Sequence, residues 1–341
     1  MIEQGLRVLA ATSAHYDFSL ETVEYPWNSQ RYIDTGELMP EKELDEFRTL
    51  DAIYLGALGD PRVERGLVER SVIMSLRLGL DLYINLRPVV LMAAHLSPLK
   101  RAGTDDLDMV VVRENTEDAY VGVGGVLNRG TPREIAIAEM VYTWTGVERA
   151  IRYAFDLARV RDKARRVTLV DKSNAIRPQE IWRRVLDHVA ADFPDIETDA
   201  IYVDAAAMFM VEAPQRFDVM VTSNLFGDIL TDLGAVLQGG MGSAASGNIH
   251  PGRVSMFEPI HGSAPDIAGQ NRASPVGAIL AGAMMLDHVQ EHRGARAIEQ
   301  AVKQLLLDHR IPSLDAHSGL STSAVADLII DELAVAADTQ A

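Results

Sequence analysis

The 341-residue chain contains no cysteine. Disulfides, thiolate nucleophiles and zinc–sulfur sites are therefore excluded, and a reducing cytoplasm is the expected compartment. Basic residues are few, 32 Lys and Arg against 49 Asp and Glu, which leaves a net charge of −17. That balance argues against nucleic acid or an anionic membrane surface as partner, although a few local arginines can still hold a small anionic substrate. No apolar run reaches the roughly 18 residues of a membrane span, and the start shows no signal-peptide pattern. Internal repeats and low-complexity tracts are lacking as well. The Gly-x-Gly-x-x-Gly dinucleotide fingerprint is missing: Tyr120-Val121-Gly122-Val123-Gly124-Gly125 is glycine-rich but reads as a loop or hairpin, not as a strand-to-helix turn.

What is present is ordinary for a globular protein, with 48% hydrophobic and 24% charged residues. The length exceeds what one small core usually organises, so two subdomains are expected. Strand-like and helix-like segments alternate. Helices are expected over 1–11, 66–82, 134–160, 178–193, 275–288 and 295–307. Strands are expected over 52–57, 109–113, 167–170, 200–203 and 217–222. This alternation predicts an α/β fold with a largely parallel sheet.

The stretch Asn224-Leu225-Phe226-Gly227-Asp228-Ile229-Leu230-Thr231-Asp232 follows the expected strand 217–222 and reads as helix. Asp228 and Asp232 then share one face, a turn apart. Adjacent like charges destabilise a bare helix, and a hard divalent cation such as Mg²⁺ or Mn²⁺ neutralises carboxylates well. A solvated acidic face is the plainer alternative, but carboxylates at the end of a buried strand are more often functional. Asp204, after the strand 200–203, is a third candidate ligand.

Arg77, Arg87 and Arg113 lie near the ends of consecutive elements, Arg87 held extended by Pro88. Singly each reads as a surface or ion-pair arginine; together they make a clamp for a polycarboxylate, because guanidinium forks match carboxylates two-pronged. Lys172, after the strand 167–170, becomes a candidate base if a metal and an arginine lower its pKa. Tyr120 follows Arg113 closely. The turn-rich run from Phe257 to Asp266 offers small residues whose backbone N–H groups can approach a phosphate or ribose.

With these residues assembled, the chain resembles the metal-dependent β-hydroxyacid oxidative decarboxylases, the family of isocitrate, 3-isopropylmalate, homoisocitrate and tartrate or D-malate dehydrogenases. The matching stretches are Ser75-Leu76-Arg77, Asn85-Leu86-Arg87-Pro88, Val112 to Glu117 with Tyr120, Asp171-Lys172-Ser173-Asn174, Val203 to Ala206, Asn224 to Asp232 and Phe257 to Gly269. The resemblance implies an isopropylmalate dehydrogenase-like two-domain α/β fold distinct from the Rossmann fold. Residues 1–82 and 240–341 would form a terminal, cofactor-side domain, and 83–239 an inserted domain for dimerisation and the metal. It also implies a homodimer with shared active sites. Arg77, Arg87 and Arg113 would grip the substrate carboxylates. Asp228 and Asp232 would hold Mg²⁺ or Mn²⁺ with Asp204 of the other subunit. Lys172 would take the hydroxyl proton and Tyr120 would return one to the enol. Asn174, Glu258, His261, Gly262, Ser263, Ala264, Asp266 and Ser274 would bind the cofactor, with Asp266 selecting NAD over NADP because a carboxylate accepts ribose hydroxyls and repels a 2′-phosphate.

The family separates substrates by the residues before the first arginine, here Ile73 and Met74. An apolar pair suits an isopropyl group and offers nothing to a third carboxylate, so isocitrate is disfavoured. Oxidative decarboxylation of 3-isopropylmalate to 2-oxoisocaproate, a step of leucine biosynthesis, is the expected activity. Ser71 could reach a polar substituent. Tyr25 to Ser29 and Arg113 to Glu117 look more like the tartrate and D-malate branch, which is the alternative. A catalytically silent regulatory relative is a second alternative. The family's opening strand and Gly-Asp-Gly-Ile-Gly type turn are not found, so an N-terminally shortened sequence is expected.

Overall fold

The computed structural model describes residues 1–100 and 102–340. The chain divides into two compact units. The first holds residues 1–82, 87–107 and 235–341, and the second 83–86 and 108–234. The segment 87–107 thus belongs with the first unit, beyond the boundary at 82 expected above.

Numbered in chain order, the strands are β1 (Ala52–Tyr54), β2 (Ile84–Val90), β3 (Asp108–Glu114), β4 (Gly124–Leu127), β5 (Ile135–Ala138), β6 (Arg166–Asp171), β7 (Glu197–Tyr202), β8 (Val219–Thr222), β9 (Ala245–Ile249) and β10 (Ser255–Pro259). In the first unit β10 lies between β1, parallel to it, and β9, antiparallel. Helix Val276–His288 is apolar and buried on nearly every side, as a helix in the middle of a layer must be. It packs beside helices Ile2–Tyr16 and His292–Leu307. The buried Tyr54 hydroxyl donates to the Ala278 carbonyl at 2.5 Å.

In the second unit β3, β8, β6 and β7 are adjacent in that order and all parallel. Strands buried on both faces read as continuous apolar runs, and Met109 to Val112 and Val219 to Val221 are nearly inaccessible. Burying each such side chain contributes about 1.5–3 kcal/mol. Helices Trp144–Arg161 and Glu180–Ala190 pack together beside the sheet, and Ala154, Phe155, Trp182 and Val185 are buried on them. Because the strands are parallel, their carboxyl ends share one edge. Arg113, next to last in β3, stands opposite Thr222 of β8, and Asp171 of β6 opposite Tyr202 of β7.

Two expectations are corrected. The segment expected as one helix over 134–160 is split: Ile135–Ala138 is a strand, and the helix begins at Trp144, capped by the Thr143 hydroxyl accepting from the Gly146 amide. The alternation Ile135-Ala136-Ile137-Ala138 suits a strand, and β5 pairs antiparallel with β4 as an exposed hairpin. The expected helix 66–82 is three pieces, Leu67–Glu69, a five-residue π-helical segment Arg70–Met74, and Ser75–Gly79. Such segments insert one residue into an α-helix and recur at functional sites.

Candidate active site

The residues singled out in the second unit gather along the carboxyl edge of its parallel strands, where open α/β sheets place their ligands. Arg113 is almost fully buried there. Its Nε and Nη2 both donate to the Asn224 Oδ1, at 2.9 and 2.7 Å, and its Nη1 pairs with Asp228. The Tyr120 hydroxyl donates to the other Asp228 oxygen at 2.6 Å. Arg113 also lies over the Tyr120 ring, 5.3 Å from its centroid.

Gly227 makes this packing possible. A Cβ there would sit 2.5 Å from the Arg113 Cγ and 2.6 Å from its Cβ. The glycine inside helix Asn224–Leu237 therefore lets the arginine stem lie against the helix.

Lys172 follows β6 directly, and Asp204 sits in the first turn of helix Val203–Glu212. The lysine Nζ donates to the Asp204 Oδ1 at 2.5 Å and holds the Asp204 carboxyl below its ordinary value. Beside it, Arg183 grips the buried Asp171 at 2.6 and 3.2 Å. Asn174 is exposed in the turn that follows, where the Ile176 amide returns to the Lys172 carbonyl.

Among the described residues no three His, Cys, Asp or Glu side chains converge as metal donors. Asp228 and Asp232 stand one turn apart on the same helix, whereas Asp204 is committed to Lys172. The donors are all hard carboxylate oxygens, which fits Mg²⁺ or Mn²⁺ and not a soft metal.

In the first unit Arg77 is buried in Ser75–Gly79 and Arg87 is buried in β2. Arg77 faces Glu258 at 3.4 Å, and the Asn248 amide donates to the same carboxylate oxygen at 2.8 Å. Glu258, expected among the cofactor contacts, is thus engaged with Arg77. Ile73 and Met74 lie in the π-helical segment, Ile73 packed against the core around Val72 and Leu76. The Ser71 hydroxyl accepts from the Met39 amide at 3.2 Å.

The loop after β10 carries His261, Gly262, Ser263, Ala264 and Asp266. Gly262, Ser263 and Ala264 line a cavity of about 410 Å³ whose other wall is Leu58 to Pro61, Val63 to Arg65 and Glu69. Sequence reading missed that wall, whose signal is Gly59: at φ 109° a Cβ there would come within 2.7 Å of the Glu69 Oε1. Burial of the His261 ring lowers its pKa, favouring the neutral form. Asp266 is exposed in the short helix Pro265–Ile267, and the Ser274 hydroxyl donates to the Gly242 carbonyl at 3.4 Å.

Two further carboxylates escaped sequence reading. Burial pushes Glu114 up, and it accepts from the Thr116 hydroxyl and the Thr116 and Glu117 amides, shaping the turn after β3. Asp118, 1% exposed, accepts from the amides of Ala119 and Leu225 and from the Tyr142 hydroxyl.

A family model described as isocitrate/isopropylmalate dehydrogenase matches residues 1–329. A 3-isopropylmalate dehydrogenase of Thermobifida fusca is 49% identical over 307 residues, covering 89% of this chain and 86% of that enzyme. One from Clavibacter sepedonicus is 45% identical over 340 residues, 98% of this chain and 94% of its own length. Among solved structures, an isocitrate dehydrogenase from Methylococcus capsulatus superposes with a TM-score of 0.86 at 38% identity, over 97% of this chain and 95% of that one. A beta-decarboxylating dehydrogenase from Thermococcus kodakarensis gives 0.79 at 33% identity, over 98% and 92%.

Proposed function

The chain belongs to the isocitrate/isopropylmalate dehydrogenase family, and on that footing we propose that it oxidatively decarboxylates 3-isopropylmalate to 2-oxoisocaproate with NAD and Mg²⁺ or Mn²⁺. The observation that carries the reading is the convergence of Arg113 and Tyr120 on Asp228. It joins a carboxylate-gripping cation, a proton donor and a hard metal ligand at one strand end. The same-named relatives support the substrate, and the apolar Ile73 and Met74 favour an isopropyl group over a third carboxylate.

Arg77, Arg87 and Arg113 bind the malate carboxylates and fix the hydroxyl-bearing carbon. Lys172 takes the hydroxyl proton as the C–H hydride departs. The β-keto acid then loses CO₂, its C–C electron pair passing to the enol, and the Tyr120 hydroxyl returns a proton to the enol carbon. When bound, the divalent cation supplies stabilisation of negative charge on the substrate oxygens, and NAD accepts the hydride. Asp228 and Asp232 hold that cation, with Asp204 and Lys172 supplied by a second copy of the chain. The loop from His261 to Asp266 would receive the adenosine half of NAD, where Asp266 would accept hydrogen bonds from ribose hydroxyls.

The surface supports a homodimer. The hairpin β4–β5 exposes Val126, Leu127, Ile135 and Ile137, while Met208 and Val211 are exposed on Val203–Glu212 and Ile229 on Asn224–Leu237. A lone two-stranded hairpin is marginal in water, so a second copy covering this apolar surface is the economical arrangement. No helix among the described residues is long and apolar enough to cross a membrane.

The test is reduced-nicotinamide formation with Mn²⁺ present, comparing 3-isopropylmalate, D-malate, tartrate and isocitrate, each with NAD and NADP. Preference for 3-isopropylmalate with NAD is expected. Preference for D-malate or tartrate would transfer the chain to that branch, and inactivity on all four would leave the silent relative.

A further inference from the structure

Asp118 sits at φ 67°, ψ −146°, a backbone conformation that side-chain-bearing residues rarely adopt. Both sides of the residue hold it there. Its backbone forms a bridge with Val141, its amide donating to the Val141 carbonyl at 2.9 Å. Its carboxylate accepts from the Ala119 amide at 2.8 Å, the Leu225 amide at 2.9 Å and the Tyr142 hydroxyl at 2.9 Å. The Leu225 amide is one of the unsatisfied donors in the first turn of helix Asn224–Leu237, so a carboxylate from far upstream closes the end of the helix that carries Asp228 and Asp232.

The chain of bonds continues away from Asp118. The Tyr142 hydroxyl accepts from the Gln179 Nε2 at 2.8 Å, and the Gln179 Oε1 accepts from the Lys172 amide at 2.6 Å. Gln179 is wholly buried. One polar thread therefore runs from the backbone of Lys172, through Gln179, Tyr142 and Asp118, to the start of the Asp228 helix and to the turn that presents Tyr120. Every side-chain polar atom in it has a partner: the tyrosine gives its single proton to Asp118 and receives one from Gln179. Such satisfied buried networks rigidify what they join.

Resting on the function proposed above, we propose that Asp118, Tyr142 and Gln179 are positioning residues that lock the Tyr120 turn, the Lys172 turn and the Asp228 helix into one register. None of the three touches the substrate. They act within one chain, tying the proton donor and metal-bearing helix of its own site to the Lys172 turn that it lends to the second copy's site, and misplacement of that kind lowers turnover more than binding.

The test uses Tyr142→Phe, which removes one oxygen and keeps the ring, with Asp118→Asn as the second variant. Amide hydrogen exchange is followed on peptides covering 118–122, 172–176 and 224–228, beside kcat and KM for 3-isopropylmalate with NAD and Mn²⁺. For Tyr142→Phe, faster exchange at both 118–122 and 172–176 is expected, although residue 142 lies in neither. A fall in kcat of about 10–100-fold, with KM held within about twofold, should accompany it. Exchange altered only around residue 142, or an unchanged kcat, overturns the proposal. So does a loss in which KM rises in step with a lowered Tm, since that marks general loosening. If the unsubstituted enzyme turns over none of the four acids while exchange still responds at both turns, the assigned activity is wrong and the coupling of the turns stands.

Discussion

The Tyr120 hydroxyl and the Asp228 carboxylate are joined at 2.6 Å, with the second Asp228 oxygen on the buried Arg113. The aspartate assigned to the metal is thus already held by the groups assigned to substrate binding and proton return. A cation entering here meets a carboxylate whose orientation is fixed from two sides, the support that a metal ligand needs from its neighbours.

Asp228→Asn keeps an oxygen for Tyr120 but removes the charge opposite Arg113 and one hard ligand. Mn²⁺ affinity is expected to fall at least tenfold and turnover at least about 100-fold. The proposed dimer should persist, with a stability loss of about 1–3 kcal/mol for the arginine left short of its partner. Mn²⁺ titration, steady-state kinetics and light scattering check the three parts, and normal activity would remove Asp228 from the metal site.

Gly227→Ala opposes two effects. Alanine is the better helix former by up to about 1 kcal/mol. Its Cβ, however, meets the near end of the Arg113 side chain, which cannot swing away while Asn224 and Asp228 hold its guanidinium. Overpacking costs about 1–3 kcal/mol, so net destabilisation is expected, with a raised substrate KM as Arg113 shifts. A urea midpoint equal to or above that of the unsubstituted protein would show that the contact relaxes freely.

Elements with a strong period or a continuous apolar run were legible from sequence. Helix Asn224–Leu237 and strands β3, β6 and β8 fall where their patterns put them. What escaped depends on partners distant in sequence. β9 is Ala-Ser-Gly-Asn-Ile, a poor strand former that becomes one by pairing antiparallel with β10. β2 carries Asn85, Arg87 and Pro88, which hid a largely buried strand. The grouping of Arg113 with Tyr120 was readable from their closeness in sequence, but the capping role of Asp118 was not, because the helix it closes begins more than a hundred residues later.

Ile73→Ala tests the specificity argument. Trimming the apolar wall removes packing available only to the isopropyl group. The ratio of kcat/KM for 3-isopropylmalate over D-malate is expected to fall by about 10–200-fold, mainly through 3-isopropylmalate. A ratio that does not move would mean that Ile73 serves only the core around Val72 and Leu76.

Leu127→Glu with Ile137→Glu tests the hairpin. Both side chains are about half exposed, at 57% and 48%, so neither is needed by the fold of one chain. Charges there should block a second copy, giving monomers in light scattering with an unchanged Tm of the monomer unit. Activity should disappear with the dimer, because Lys172 and Asp204 would no longer reach the Asp228 helix of another copy. A fully active monomer would end the shared-site reading.

Lys172→Met removes the assigned base while leaving Asp228 and Asp232 untouched. Hydride transfer should be lost, with Mn²⁺ affinity reduced much less than by Asp228→Asn. The same variant carries a pH signature. Lys172 holds the Asp204 carboxyl below its unfolded value, through the hydrogen bond first and charge attraction after it. The folded state therefore releases the Asp204 proton more readily than the unfolded one, and the unfolded chain binds more protons between the two pKa values. Stability from this pair is present above the unfolded carboxylate pKa of about 3.9 and is lost as pH falls through the lowered folded value. Removing the lysine should raise the Asp204 pKa, though not all the way, because the backbone amides of Asp204 and Ala205 still favour the carboxylate; a carbon-detected NMR titration of its side chain reads the rise. An Asp204 titration unchanged by the substitution would show that the carboxylate answers to another group.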